Sequence, residues 1–165
     1  MLRLSTVSDG RYDSYCGIYC GACEIVHEER NGRLQEFAKR AEKPPEQIAC
    51  HGCKSDLITK CCADCKVRAC AMRKGIETCI ECDECPCELF EPFKKGDFYP
   101  LYVLMMNNLK TIKGTGLDAW LKEREKRWRC TDCDTPFWWF QKACENCGAK
   151  LHGCEAEARD LANDR

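Results

Sequence analysis

Cysteine pairs at one recurring spacing dominate the chemistry this sequence can do. Of 165 residues, 18 are cysteine, and seven pairs follow the form C-x-x-C: Cys20/Cys23, Cys50/Cys53, Cys62/Cys65, Cys79/Cys82, Cys82/Cys85, Cys130/Cys133 and Cys144/Cys147. Random placement of that many cysteines would give about two such pairs, so the spacing is the signature of metal sites. A two-residue gap lets one tight turn aim both sulfurs at an ion about 2.3 Å away. A disulfide across the same gap closes a very short loop and gains little chain entropy. Met1 to Gly10 contains no apolar stretch of the kind that directs export. Disulfides belong to oxidising compartments, so thiolate coordination in a cytoplasmic protein is the expectation.

Three four-cysteine sets are expected, with two or three Zn2+ ions. Cys130, Cys133, Cys144 and Cys147 form the first, two knuckles separated by ten residues that include Phe137-Trp138-Trp139-Phe140. Cys50, Cys53, Cys62 and Cys65 form the second, close enough in sequence to close on one ion by local folding. Cys20, Cys23, Cys79 and Cys82 form the third, with Cys16, Cys70 and Cys87 as substitutes. Cys61, Cys85 and Cys154 are left as spare thiols. His27, His51 and His152 are read as hydrogen-bonded or surface histidines rather than ligands. Four thiolates on zinc leave a charge of −2 per site, so three sites would take the formal −1 of the chain to about −7. Lys54, Lys60, Lys66, Arg68, Arg73 and Lys74 then serve to offset sulfur charge rather than to bind a partner.

The remaining composition explains why metal is needed. Leu, Ile, Val and Phe make up fewer than one residue in five, too few for an ordinary apolar core. Core-poor folds lean on metals or disulfides. No apolar run is long enough for a membrane span. With 26 basic and 27 acidic residues the chain is not a globally basic nucleic-acid binder.

The elements that must position the cysteines are short. Residues 1–12 are read as a loose arm or short docking strand. Glu24 to Arg30 can start a helix, which Asn31-Gly32 interrupts. Leu34, Phe37, Ala38 and Ala41 mark one face of a second helix ending before Pro44-Pro45. Lys66 to Lys74 forms a helix stopped at Gly75, and Glu88 to Lys95 another. Residues 100–113 are the most apolar helix, with Leu101, Leu104, Met105, Leu109 and Ile112 on one face and Pro100 in the first turn. Leu117, Trp120, Leu121, Arg124 and Trp128 continue at helical spacing, and the tryptophans are read as packing residues. The expected fold is a mainly α, metal-stabilised cysteine-rich domain over 12–95 and a helical pair over 96–128. A C-terminal β-hairpin zinc ribbon over 129–150 and a polar tail or frayed helix over 151–165 complete it. At Gly148 the ribbon would use the positive φ that glycine tolerates.

The segments Tyr15-Cys-Gly-Ile-Tyr-Cys-Gly-Ala-Cys23, Cys50-His-Gly-Cys-Lys-Ser-Asp56, Cys65-Lys-Val-Arg-Ala-Cys-Ala71 and Cys79-Ile-Glu-Cys82 with Pro86-Cys87 occur in that order. In this the chain resembles a family of cysteine-rich prokaryotic proteins known only as a domain of unknown function and credited with zinc binding. Longer members run into a terminal ribbon through a Trp-Leu…Trp-x-Cys segment, similar to Trp120-Leu121, Trp128 and Cys130 here. The sequence departs from that family at Cys85, where an aromatic residue is usual, and at His51, where an acidic one is. The resemblance implies zinc and no established activity.

Three functions compete on these residues. The first is a structural zinc protein serving as an interaction module, since closed four-thiolate sites have no open position for water. A protein partner is favoured over nucleic acid, because Glu123 and Glu125 dilute the basic run Lys122, Arg124, Lys126, Arg127 and Arg129. The second is an iron–sulfur electron carrier using Cys16-x3-Cys20-x2-Cys23, with Cys87 as a fourth ligand. Its spacing matches the radical S-adenosylmethionine motif, but the chain lacks the length and strand–helix alternation of those barrels. The third is thiol redox chemistry at Cys50-His51-Gly52-Cys53, where an internal histidine can lower a thiol pKa. The sequence has no Ser/His/Asp set, phosphate-binding glycine loop or HExxH motif.

Overall fold

A computed structural model describes residues 11–164, so the reading of residues 1–12 as an arm falls almost wholly outside the described residues. The chain is mainly α. The N-terminal half carries five short helices: α1 (Glu24–Arg30), α2 (Leu34–Arg40), α3 (Pro45–Ile48), α4 (Lys60–Ala63) and α5 (Lys66–Lys74). Gly75 ends α5 in the left-handed conformation, φ 67°, as its position after Lys74 predicts. Three 3-10 segments follow (Cys79–Glu81, Glu88–Lys94 and Gly96–Phe98), and then the longer helices α6 (Tyr99–Thr115), α7 (Leu117–Arg127) and α8 (Cys154–Asn163). Among the described residues no helix is long and apolar enough to cross a membrane.

Helix α6 is the centre of the molecule. Its apolar residues divide between two clusters rather than lining one face. Leu101, Leu104 and Ile112 face a cluster built from Tyr12, Tyr19, Val26, Trp120, Trp128 and Phe137. Met105 and Leu109 face a second one, with Val67, Ala71, Cys79 and Phe90. A helix apolar on more than one side must be covered on more than one side. Here α7, α8 and the N-terminal turn cover one flank, and α5 with the Cys79–Phe90 segment covers the other.

The N-terminal cysteine turn lies directly on α6. Gly17 adopts φ +87°, and a Cβ there would stand 2.8 Å from Leu109 Cγ and 2.8 Å from the Met105 carbonyl oxygen. Buried Asn108 donates to the Gly17 carbonyl at 2.8 Å. Gly17→Ala would add a strained φ to a backbone clash. It is expected to cost about 2 kcal/mol or more, a fall in Tm of roughly 4–8 °C, measured by thermal melting of the metal-loaded protein.

Two expectations change at the C-terminus. The first is a correction: there is no β-hairpin zinc ribbon over 129–150. Among the described residues no β-strand forms, and only two isolated antiparallel bridges occur, Arg129 with Pro136 and Ala143 with Lys150. The reason is where the backbone hydrogen bonds go. Cys130 N–H donates to Thr135 O at 2.9 Å and Cys144 N–H to Ala149 O at 2.8 Å, so each knuckle pairs with itself. The linking segment turns away, its Trp139 N–H donating to Ala22 O at 3.0 Å.

The second change is that residues 154–163, expected as a polar tail or frayed helix, form a packed helix. Cys154 is fully buried and Ala158 nearly so. Arg124 of α7 donates to Glu157 of α8 at 2.7 Å, and both side chains are buried. Arg127 makes an ionic contact with the other Glu157 oxygen at 2.8 Å. Burial of that pair is tolerated because the guanidinium also donates twice to Glu123.

Candidate metal centre

The two C-terminal knuckles are built alike. Each starts at a buried cysteine, Cys130 or Cys144, and turns through the next three residues. The residue four positions on donates its N–H back to that cysteine's carbonyl at 2.9 Å: Asp134 to Cys130 and Gly148 to Cys144. Both donors are left-handed, with φ 59° at Asp134 and 74° at Gly148. Glycine takes this conformation freely, and aspartate is one of the few other residues that visits it. Arg129 holds Asp134 there by donating to its carbonyl at 2.7 Å and its carboxylate at 3.1 Å. Sequence reasoning identified Gly148 and missed its counterpart Asp134. The signal was available as the matching registers Cys-Thr-Asp-Cys-Asp and Cys-Glu-Asn-Cys-Gly.

These turns bring four sulfurs together. Cys130 Sγ lies 3.6 Å from Cys147 Sγ, and Cys133 Sγ lies 3.5 Å from Cys144 Sγ. All four are within 4.8 Å of one another. Sulfurs at tetrahedral corners 2.3 Å from one ion stand about 3.8 Å apart, so this cluster can bind a metal ion. Thr135 Oγ1, 3.2 Å from Cys133 Sγ, together with Asn146, pulls the Cys133 thiol down to about 6. That favours the thiolate, the form that binds metal.

The aromatic segment between the knuckles anchors them to the N-terminal turn Cys20–Ala22. Trp139 Nε1 donates to Tyr19 O at 3.2 Å and its backbone N–H to Ala22 O, while its carbonyl accepts from Cys154 N–H at 2.7 Å. Phe137 packs edge-on against Trp128, with ring centroids 5.4 Å apart. Tyr19 in turn stands edge-on between Tyr12 and Trp120, at 6.3 and 6.2 Å.

The N-terminal cysteines interleave. Burial raises the Cys20 thiol well above its usual range, and the neighbouring sulfurs of Cys53, Cys23 and Cys16 raise it further. Cys53 is pushed up to about 11 by burial and by Cys16 and Cys65. Burial also pushes Cys23 to about 11, with Cys50 and Cys61 adding to it. Cys62 is raised by Cys61, by burial, and by Cys50 and Cys23. Cys20 is thereby linked to Cys53, Cys23 and Cys16, and Cys23 also to Cys50 and Cys61. Cys79 and Cys82 line a cavity with Cys70, Cys85 and Cys87. Among the described residues, no three sulfurs other than the C-terminal four lie within 4.8 Å of one another. Sequence reasoning set Cys61 and Cys85 aside as spare.

His27, Glu28 and Glu145 also converge, but Arg33 occupies the cationic position among them. It donates to Glu28 at 2.6 Å and to Glu145 at 2.9 Å. The Arg33 hydrogen bond holds Glu28 below the usual carboxylate range, and burial lowers His27. This is an ion-pair network tying α1 and α2 to the second knuckle. His51 stands 3.3 Å from Glu29, and His152 stands 2.7 Å from Asp160.

No curated protein and no solved structure matches this chain. A family model described as protein of unknown function (DUF3795) matches residues 12–92, which hold the Cys16–Cys87 array. Over that segment, just under half of its length, the chain is similar to this cysteine-rich family of unknown function.

Proposed function

We propose that the protein is a zinc-binding structural module, in which closed four-thiolate sites hold short helices in place so that their surface can engage a protein partner. The convergence of Cys130, Cys133, Cys144 and Cys147 within 4.8 Å carries this reading. Four thiolates complete a tetrahedral zinc shell and leave no position for a reacting water, so the ion organises backbone rather than catalyses. The interleaved cysteines of residues 16–65 would hold one or two further ions. Reduced, metal-bound thiols fit a cytoplasmic protein.

A protein partner is favoured over nucleic acid by how the basic run of α7 is used. Arg124 and Arg127 pair with Glu157, and Arg129 with Asp134. Three of its five cations are thereby committed within the molecule.

Elemental analysis of protein purified without oxygen tests the proposal. At least one zinc per chain is expected, and Cys144→Ser should lower the zinc content by one. A wild-type protein free of zinc, or a Cys144→Ser variant with unchanged zinc, would remove it.

A further inference from the structure

The cavity between α5 and the Cys79–Cys87 segment differs in kind from the C-terminal clasp. It measures about 530 Å³ and is walled by five cysteines: Cys70, Cys79, Cys82, Cys85 and Cys87. We propose that this cavity takes a cubane iron–sulfur cluster, with Cys79, Cys82 and Cys85 as three ligands from one loop and Cys70 of α5 as the fourth from the opposite wall. The proposal does not depend on zinc at the C-terminal clasp.

Four observations support it. The run Cys79-Ile-Glu-Cys82-Asp-Glu-Cys85 has the C-x2-C-x2-C spacing with which bacterial cluster loops present three thiolates. Sulfur spacing points the same way. One ion needs its sulfurs about 3.8 Å apart, as the clasp provides, whereas no three sulfurs of this cavity lie within 4.8 Å of one another. A four-iron core carries each thiolate on a different iron and holds them further apart. The space between the walls also far exceeds the room a single ion needs, since one water molecule takes about 30 Å³.

Charge supplies the fourth. A [4Fe–4S]2+ core on four thiolates carries −2. Lys74 Nζ donates to Cys82 Sγ at 3.1 Å, and Arg73 reaches 3.9 Å from Cys70 Sγ. These place two cations against two of the named ligands, Lys74 sharing its charge with Glu84 at 2.5 Å, and hydrogen bonds to sulfur set a cluster's potential. Buried Val67, Ala71 and Phe90 close the inner wall.

The test uses the full-length, zinc-loaded protein under anaerobic conditions, incubated with equal amounts of ferrous and ferric iron plus sulfide. Two Fe2+, two Fe3+ and four S2− make the core with no net electron transfer, and four thiols release their protons to buffer. The expected product holds four irons and four sulfides per chain, shows visible charge-transfer absorption and keeps its clasp zinc. Cys70→Ser and Cys85→Ser should each lose the cluster absorption, whereas Cys87→Ser, Cys20→Ser and Cys144→Ser should keep it. Lys74→Ala, which leaves every ligand in place, should keep the cluster and shift its reduction potential to a more negative value.

Uptake of zinc alone in the cavity would overturn the proposal. So would a cluster that survives Cys85→Ser, or one lost in Cys20→Ser. Loss in Cys87→Ser with retention in Cys70→Ser would overturn the fourth ligand, and an unmoved potential in Lys74→Ala would remove Cys82. Loss of zinc in Cys144→Ser with the cluster intact separates this site from the clasp.

Discussion

Stripping metal from the reduced protein with a strong chelator is expected to abolish its single cooperative melting transition near room temperature. Structural zinc sites contribute on the order of 10 kcal/mol at neutral pH, which matches the whole stability of an ordinary domain. In this chain little else holds the cysteine-bearing segments. Helices α1 to α5 have four to nine residues each, well below the length at which an isolated helix persists in water. The C-terminal knuckles form no strand; each closes on itself through short backbone hydrogen bonds, and the four convergent sulfurs are what bring the two together. Far-UV circular dichroism of the demetallated, reduced sample should show lost helix, and readdition of zinc should restore it. An unchanged Tm after verified metal removal would mean that the apolar contacts suffice.

Trp120→Ala should be the most damaging single substitution outside the cysteines. The indole is 1% exposed and meets Tyr19 edge-on, so it fixes α7 to the N-terminal cysteine turn. Truncating a buried tryptophan costs about 3–5 kcal/mol, and at roughly 3 °C per kcal/mol the Tm should fall by about 9–15 °C. Its Nε1 has no hydrogen-bond partner. Trp120→Phe therefore breaks no hydrogen bond and keeps an aromatic ring against Tyr19, and its loss should be less than half as large. Equal losses for the two variants in thermal melts would show that ring packing is not what the residue supplies.

How far the sequence revealed this molecule depended on the range of the forces involved. Local signals worked. Gly75 stopped α5 and Asn31-Gly32 divided α1 from α2, whereas the helix expected over 100–113 to end at Gly114 runs on through Thr115 to a break at Gly116. Periodicity placed Leu101, Leu104, Met105, Leu109 and Ile112 inside. It could not show that Met105 and Leu109 face a different neighbour from the rest, because that depends on where α5 packs.

The aromatic stretch Phe137–Phe140 read as a strand by composition. The structure gives the N–H groups of Phe137, Trp138 and Trp139 to Trp128, the Gln141 side chain and Ala22, the last of these more than a hundred residues away in sequence. Likewise, C-x-x-C spacing pairs adjacent sulfurs. The neighbourhoods that join Cys20 to Cys53 and Cys23 to Cys50 are made by tertiary folding that no local spacing encodes.

The seat of Trp139 on Tyr19 and Ala22 has a consequence for biosynthesis. The opening cysteine turn leaves the ribosome long before the residues that cover it, Trp120 and Trp139, have been translated. Every nascent chain thus passes through a stage in which its earliest thiols are accessible and unshielded. A chain truncated before residue 120 would lack both of the tryptophans that cover that turn.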